Sequence, residues 1–94
     1  MAEPAALRVV VTGRVQGVMF RDFTRYQAEA LGLTGYVRNL PGGGVVEVEA
    51  EGERPRLEEL LSLVKRGPPR ALVESASATW GKYTGKYRDF RIRF

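Results

Sequence analysis

A glycine-containing loop that ends in an arginine is the part of this sequence best suited to chemistry. Residues 13–21 read GRVQGVMFR, with Gly13 and Gly17 as breakers and Arg21 in the last position. The segment runs from a predicted strand into a predicted helix, where backbone N–H groups are unpaired and the helix dipole is positive. Such a position binds anions, and a curled loop can aim further amides at the same ligand. We therefore treat residues 13–21 as a candidate anion-binding loop.

Arg21 needs a partner at this position. A cation at a helix N-terminus opposes the helix dipole at a cost of ~0.3–1 kcal/mol. A bound anion would offset that cost, because a guanidinium offers a planar fork of donors to phosphate or carboxylate. Pairing with Asp22 or Glu29 is the alternative. The loop is neither a Walker loop nor a dinucleotide fingerprint, so spacing alone leaves both interpretations open.

Asn39 is the only asparagine in the chain, and it lies near the end of the second predicted strand. If that strand neighbours the first one, Asn39 stands beside the loop. Its amide can both donate and accept hydrogen bonds, which suits it to hold a water molecule. The alternative is a turn-forming asparagine just before Pro41.

The composition removes several types of reaction. The 94 residues contain no Cys and no His, which excludes disulfides, thiolate nucleophiles, Ser-His and Cys-His catalysis and most zinc sites. An enzyme of this composition works with arginines, carboxylates, amides, hydroxyls and backbone groups. No apolar run approaches the ~20 residues of a membrane-spanning helix, and the N-terminus lacks the features of a signal peptide. We therefore expect a cytoplasmic protein with no membrane partner.

The charge balance is basic. There are 15 basic and 11 acidic residues, a net charge of +4, and 12 of the basic residues are arginines. An excess of arginine suits an anionic partner, although the codons of a GC-rich genome produce the same excess. Many charges and few amides together favour a thermophilic source.

The elements that must position these residues follow from hydrophobic periodicity. Strands are predicted over 7–12, 34–40, 45–51, 71–80 and 88–94, and helices over 21–31 and 55–66. This order predicts an α+β fold, a ferredoxin-like βαββαβ sandwich. Its antiparallel sheet of four to five strands carries two helices on one face. Residues 1–94 form a single domain in this interpretation, and residues 1–6 form a loose N-terminal tail.

Each element also has a predicted inner face. The third strand alternates between buried apolar residues and solvent-facing carboxylates, namely Val46, Val48 and Ala50 against Glu47, Glu49 and Glu51. The other apolar faces are Phe23, Tyr26, Ala30 and Leu31 in the first helix; Leu57, Leu60, Leu61 and Val64 in the second; Leu72, Ala76 and Ala78 in the fourth strand; and Phe90, Ile92 and Phe94 in the last, where Arg91 and Arg93 point outward.

Four segments of the chain resemble signature elements of the acylphosphatase family. They are residues 13–21, the stretch GYVRNLP at 35–41, GPPRA at 67–71, and the aromatic-ended strand FRIRF at 90–94. The resemblance covers the chain from about Leu7 to Phe94, with two signatures in order and at the expected separation. It implies an enzyme, an acylphosphatase that hydrolyses the carboxyl–phosphate bond of acyl phosphates to a carboxylate and inorganic phosphate.

The resemblance also implies roles for individual residues. Arg21 and Asn39 are the expected catalytic residues, and Asn39 positions the attacking water. The phosphoryl group is expected to bind to Arg21 and the loop amides of Gln16, Gly17, Val18, Met19 and Phe20. No metal and no organic cofactor is implied. We expect a small acyl phosphate as the substrate, inorganic phosphate as product and competitive inhibitor, and a monomeric protein.

Two features depart from the family pattern, and other functions remain open. The first strand lacks the His that many members carry, and three glycines, residues 42–44, follow where Asp-Gly is common. An alternative is an acylphosphatase-like RNA-binding or regulatory module without turnover. RNA would use the open sheet face, where the third strand presents three glutamates that repel phosphates. We therefore expect no nucleic-acid partner.

Overall fold

Five strands and two helices make up residues 3–94, which are the residues that the computed structural model describes. In chain order they are β1 (Pro4–Arg14), α1 (Phe20–Ala30), β2 (Thr34–Asn39), β3 (Val45–Glu53), α2 (Arg54–Arg66), β4 (Leu72–Lys82) and β5 (Phe90–Arg93). Both helices pack against the same face of one sheet and enclose the hydrophobic core with it. This confirms the predicted α+β, ferredoxin-like sandwich. Neither helix in this part of the chain is both long and apolar enough to cross a membrane.

The sheet has the strand order β4-β1-β3-β2-β5 and is mixed. Its first four strands pair antiparallel, but β5 runs parallel to β2, with Gly35 opposite Phe90. The prediction of an antiparallel sheet is therefore wrong at this edge. The chain leaves β4 at Lys82, beside Ala5, which is the end of the sheet where β2 begins. Because β5 starts from that same end on the opposite edge, it must run in the direction of β2.

The first strand is longer than its apolar stretch indicates. Residues 4–6, which were predicted to belong to a loose tail, are part of β1, while residues 1 and 2 lie outside the described residues. Ala5 is buried, and it is paired with Gly52 on one side and Lys82 on the other. Pairing with both neighbouring strands extends β1 over these alanines although alanine has a low strand propensity.

Helix α1 buries a different face from the one predicted. Its buried residues are Phe20, Thr24 and Ala28, each four residues apart, whereas Tyr26 is 71% exposed. The helix begins at Phe20, one residue before the predicted start, and that ring sets the inner face. Thr24 can be buried because its hydroxyl donates to the carbonyl of Phe20 at 2.9 Å. The apolar face of α2 is as predicted, with Leu57, Leu60 and Val64 buried.

A β-bulge changes the faces of β4. Gly13 is opposite Val73 and Thr12 is opposite Ser75, so Glu74 is the extra residue of the bulged strand. The bulge reverses the alternation, which places Val73 against the core and leaves Leu72 63% exposed. The predicted common face of Leu72 and Ala76 is therefore wrong. Position 13 requires glycine, since its φ is 130° and a Cβ there would meet the Leu72 carbonyl oxygen.

The outer face of β3 is not the solvent-exposed row that its alternation predicts. Glu47 and Glu51 are only 4% and 3% exposed, and Glu49 is partly buried. We call these three side chains the carboxylate layer. The hydroxyls of Tyr36 and Tyr87 donate to Glu49 at 3.1 and 2.7 Å. The Thr84 hydroxyl and the Gly85 amide donate to Glu51 at 2.7 and 2.9 Å. The chain between β4 and β5 therefore covers these carboxylates.

Glu47 is hydrogen-bonded to three residues, more than either of the other two glutamates in the layer. It accepts hydrogen bonds from the Nε atoms of Arg8 and Arg38 at 2.8 and 2.7 Å and from the Tyr36 hydroxyl at 2.9 Å. Burial raises the pKa of the Glu47 carboxyl, but these arginine and tyrosine bonds outweigh it and leave the pKa below its usual value. Burial and the adjoining glutamates raise the pKa of Tyr36.

Candidate active site

The loop between β1 and α1 is tied down by the side chain of Gln16. Its Nε2 donates to the backbone carbonyls of Leu40 and Val45, both at 3.0 Å. These two residues flank the β2–β3 turn, which also accepts the Gly13 amide at the Gly44 carbonyl, 3.0 Å away. The loop is thereby fixed against the end of β2. The sequence predicted a role only for the backbone N–H of Gln16, in phosphate binding. The tethering role of its side chain was not predicted, although a long polar side chain within this loop was a signal for it.

The backbone of the loop curls as it enters α1. Gly17 and Met19 adopt φ values of 73° and 65°, and the Met19 carbonyl accepts the Phe23 amide at 3.0 Å, which starts the helix. Within residues 3–94, the amides of residues 16–19 donate to no backbone carbonyl. A run of such amides at the positive end of a helix is an arrangement that binds anions.

A cavity of about 190 Å³ lies beside this loop. Its lining residues come from the loop, the first turn of α1 and the end of β2: Val15, Gly17, Met19, Phe20, Arg21, Asp22 and Asn39. The structure thus brings Asn39 together with Arg21, the residue predicted for both roles, and with three further predicted phosphate-binding residues, Gly17, Met19 and Phe20. Gln16 does not line the cavity, and Val18 is partly buried against the core. Their side chains hold the loop from behind, and any contact from these two residues to a ligand is through the backbone.

Arg21 lies at the second position of α1 and projects beside the cavity. Its guanidinium carbon is 4.8 Å from the centroid of the Phe94 ring. Among residues 3–94 no carboxylate lies within ion-pair distance of Arg21, so it pairs with neither Asp22 nor Glu29. The cation that opposes the helix dipole is therefore available to an anion in the cavity.

Asn39 is the last residue of β2 and lines the same cavity as Arg21. The condition that β2 neighbours β1 is not met, because β3 lies between them. Asn39 nevertheless reaches the site, since Gln16 ties the loop across β3 to this end of β2. Its Oδ1 atom is buried, and it is the only buried side-chain oxygen or nitrogen in residues 3–94 without a hydrogen-bond partner. The position belongs to the strand and not to the turn, whose closing bond joins the Leu40 amide to the Val45 carbonyl.

The fold and this cavity together define a class of protein. It is a small ferredoxin-like domain in which a strand-to-helix loop and an arginine can receive an anion, and an amide side chain faces them. Neither His nor Cys is present for nucleophilic or general base catalysis. The chemistry available is electrostatic stabilisation of a charged group and orientation of a small polar reactant.

Comparison with known proteins identifies the family. The profile of the acylphosphatase family matches residues 7–92. An acylphosphatase from Dehalococcoides mccartyi strain CBDB1 is 54% identical over 87 residues, covering 93% of this chain and 96% of the relative. The solved acylphosphatase from Bacillus subtilis has a TM-score of 0.90 at 36% identity, covering 96% and 99% of the two chains. That from Coxiella burnetii has a TM-score of 0.89 at 41% identity, covering 97% and 94%.

The chain belongs to the acylphosphatase family. The resemblance inferred from the four sequence segments is confirmed, and the chain is an enzyme of that class, a hydrolase of acyl phosphates. These relatives do not favour the alternative of an RNA-binding or regulatory module without turnover.

Proposed function

We propose that this chain hydrolyses the carboxyl–phosphate bond of small acyl phosphates in the cavity between residues 15–22 and Asn39. The observation that carries the proposal is the meeting of Arg21, the curled loop and Asn39 around one cavity. The products are a carboxylate and inorganic phosphate, so phosphate inhibits by competing for the same donors.

The phosphoryl group is held by the amides of residues 16–20 and by Arg21. In the transition state of phosphoryl transfer, negative charge is spread over the three equatorial oxygens. The loop amides are already oriented by the curl at Gly17 and Met19, and no carboxylate of the described residues 3–94 competes for Arg21. Donors that are fixed before the reaction stabilise this charge without reorganisation. The leaving group is a carboxylate, which departs without much help from a general acid.

Asn39 orients the attacking water. Asn39 lines the cavity, and its amide group can donate a hydrogen bond to that water or accept one from it. The water oxygen forms the new bond to phosphorus while the bond from phosphorus to the carboxylate oxygen breaks. An amide is a very poor base, so Asn39 does not take the proton; a phosphoryl oxygen receives it.

The remaining features of the activity are predictions. The chemistry described uses no metal and no organic cofactor, because all the charge stabilisation comes from Arg21 and backbone amides. We further propose that the protein is a cytoplasmic monomer with no nucleic-acid partner. The carboxylate layer supports the last point, because it occupies the sheet face on which RNA would have to stack.

A turnover assay tests the proposal directly. Acetyl phosphate and benzoyl phosphate are each incubated with the purified protein in the presence of EDTA, and phosphate release is measured. We expect both to be hydrolysed and added phosphate to inhibit competitively. Absence of turnover with both substrates, with the protein shown to be folded by circular dichroism, would contradict the proposed function.

A further inference from the structure

Two exposed apolar side chains lie beside this polar cavity. Met19 lines it and is 68% exposed, and the ring of Phe94, which is 98% exposed, lies over the guanidinium of Arg21. Phe94 was predicted to face the core, yet β5 ends at Arg93 and the ring remains in solvent. Single exposed apolar residues are ordinary in proteins, but these two both adjoin the site of Arg21: Met19 lines the same cavity, and Phe94 lies over the guanidinium.

The backbone of Met19 makes this residue type unexpected. Met19 is the only residue other than glycine with a positive φ in residues 3–94, at φ 65° and ψ 24°. The left-handed region is unfavourable for a residue with a Cβ, and glycine, as at Gly17, adopts it freely. Met19 occupies the N-cap position of α1 but makes no side-chain capping bond, and it is not buried. Neither capping nor packing accounts for a methionine here.

Contact with the substrate would account for a methionine at position 19. When the phosphoryl group of an acyl phosphate binds to the loop amides and Arg21, the rest of the molecule extends toward the exposed rim of the cavity. A methionine thioether is flexible and polarisable, and it packs well against aromatic rings and hydrocarbon chains. A Phe94 ring beside Arg21 offers an aromatic surface to the same group.

From these contacts we infer that Met19 and Phe94 form an apolar acyl-binding rim, which makes the enzyme select acyl phosphates with an aromatic or extended hydrocarbon group over acetyl phosphate. The inference rests on the proposed function and adds a substrate class to it. Met19 and Phe94 act on specificity, while Arg21, Asn39 and the loop amides act on the phosphoryl group.

The test is the ratio of kcat/KM for benzoyl phosphate to kcat/KM for acetyl phosphate. In Met19→Gly, whose backbone suits the left-handed region, we expect this ratio to fall about fivefold, through loss of apolar contact. In Met19→Leu, which keeps an apolar side chain, the ratio should stay within about twofold of the wild type. Phe94→Ala should lower the ratio and Phe94→Leu should largely preserve it. The control is Tyr83→Ala, which removes an exposed aromatic side chain near Pro4, at the end of β1 away from the cavity. This variant should keep the wild-type ratio.

Two results would overturn the inference alone. One is a wild-type ratio retained in both Met19→Gly and Phe94→Ala. The other is an equal loss with both substrates in these variants, which would assign Met19 and Phe94 to the placement of the loop and Arg21. If the folded wild type hydrolyses neither substrate, the proposed function fails, and this inference fails with it.

Discussion

The carboxylate layer and the active-site cavity both place polar groups where water has little access, but they differ in how those groups are paired. In the layer, each of the three glutamates accepts hydrogen bonds from arginines, tyrosines or the segment after β4. Arg21 and Asn39 line the cavity, and within residues 3–94 Asn39 Oδ1 is buried without a hydrogen-bond partner and no carboxylate forms an ion pair with Arg21.

This difference separates polar groups that stabilise the fold from polar groups that serve the reaction. A buried polar group without a partner costs about 1–3 kcal/mol, so the cavity carries a cost that the layer avoids. The presence of arginine does not distinguish the two regions, because both contain it. Pairing distinguishes them, and substitutions in each region should therefore change different measured quantities.

A large effect on turnover is expected at Arg21. Replacing it with Ala removes a charged, forked contact to the phosphoryl group, and we expect a loss of ~2–4 kcal/mol in transition-state stabilisation with weaker phosphate inhibition. Arg21→Lys should recover little, since an ammonium cannot bind two oxygens in a fork. The matched control is Arg25→Ala, an exposed arginine one turn further along α1. If Arg21→Ala keeps more than about a tenth of the wild-type kcat/KM, a loss under ~1.4 kcal/mol, the assignment is wrong.

A smaller loss is expected at Gln16. In Gln16→Ala the two bonds to the Leu40 and Val45 carbonyls are lost, and the loop is no longer fixed to the end of β2. Misplacement of the donors should lower kcat/KM about tenfold and weaken phosphate inhibition. Gln27→Ala changes the other glutamine, on α1 away from the cavity, and should leave both values at the wild-type level. Unchanged kinetics in Gln16→Ala would show that the loop keeps its shape without this tether.

The carboxylate layer should respond in stability and not in turnover. Changing Glu47 and Glu49 together to Gln removes charged acceptors from Arg8, Arg38 and Tyr36 and should lower the free energy of unfolding by ~2–4 kcal/mol. Measured on the folded protein, kcat should stay within a few-fold of the wild type. Urea unfolding and steady-state kinetics on the same preparations provide both numbers. A large loss of kcat with stability retained would mean that the active site has been misplaced.

Acid should remove the stabilisation that Glu47 provides. Its pKa is lowered in the folded protein, so its contribution is present above the carboxyl pKa of the unfolded chain, about 4.3. The contribution is lost as pH falls through the lower folded value. The difference in unfolding free energy between the wild type and Glu47→Gln should therefore be largest near neutral pH and shrink below pH ~4. A difference that is constant from pH 7 to pH 3 would contradict this assignment.

Removal of metal should have the smallest effect. Arg21 and the loop amides supply the charge stabilisation, so kcat with acetyl phosphate should be the same before and after dialysis against EDTA. Restoration of a lost activity by Mg²⁺ would contradict the mechanism.

Much of the fold could be predicted because the apolar pattern is strong and local. The stripe of α2 and the inner face of β3 follow the helical and strand periods and are buried as predicted. The faces of α1 and β4 could not be predicted, because they depend on where the helix starts and on a bulge opposite Gly13. The burial of Glu47 and Glu51 depends on residues 38 and 84–85, which only the tertiary fold brings to them.

The candidate site was predictable for a different reason. The glycine loop, Arg21 and Asn39 lie within short sequence motifs, so the site residues could be recognised from the sequence. The residues that surround them in the fold could not be predicted in this way. The strands β1 and β2 are not adjacent, and the Gln16 side chain connects the loop to the end of β2 in place of direct strand pairing. Phe94 was predicted from the strand period to face the core. In the structure its ring lies on the surface beside Arg21, a position that strand periodicity does not predict.

The central claim is that the loop and Arg21 bind phosphate while Asn39 orients water, and one pair of measurements on Asn39→Ala tests it. The kcat and the phosphate inhibition constant are determined side by side for this variant and the wild type, with Asn39→Asp as a second variant whose charge repels the phosphoryl oxygens. Loss of water orientation should lower kcat by about 100-fold or more, while the phosphate inhibition constant of Asn39→Ala stays within about twofold, since Arg21 and the loop amides remain. A kcat within a few-fold of the wild type would contradict the account, because Asn39 would then only end a strand.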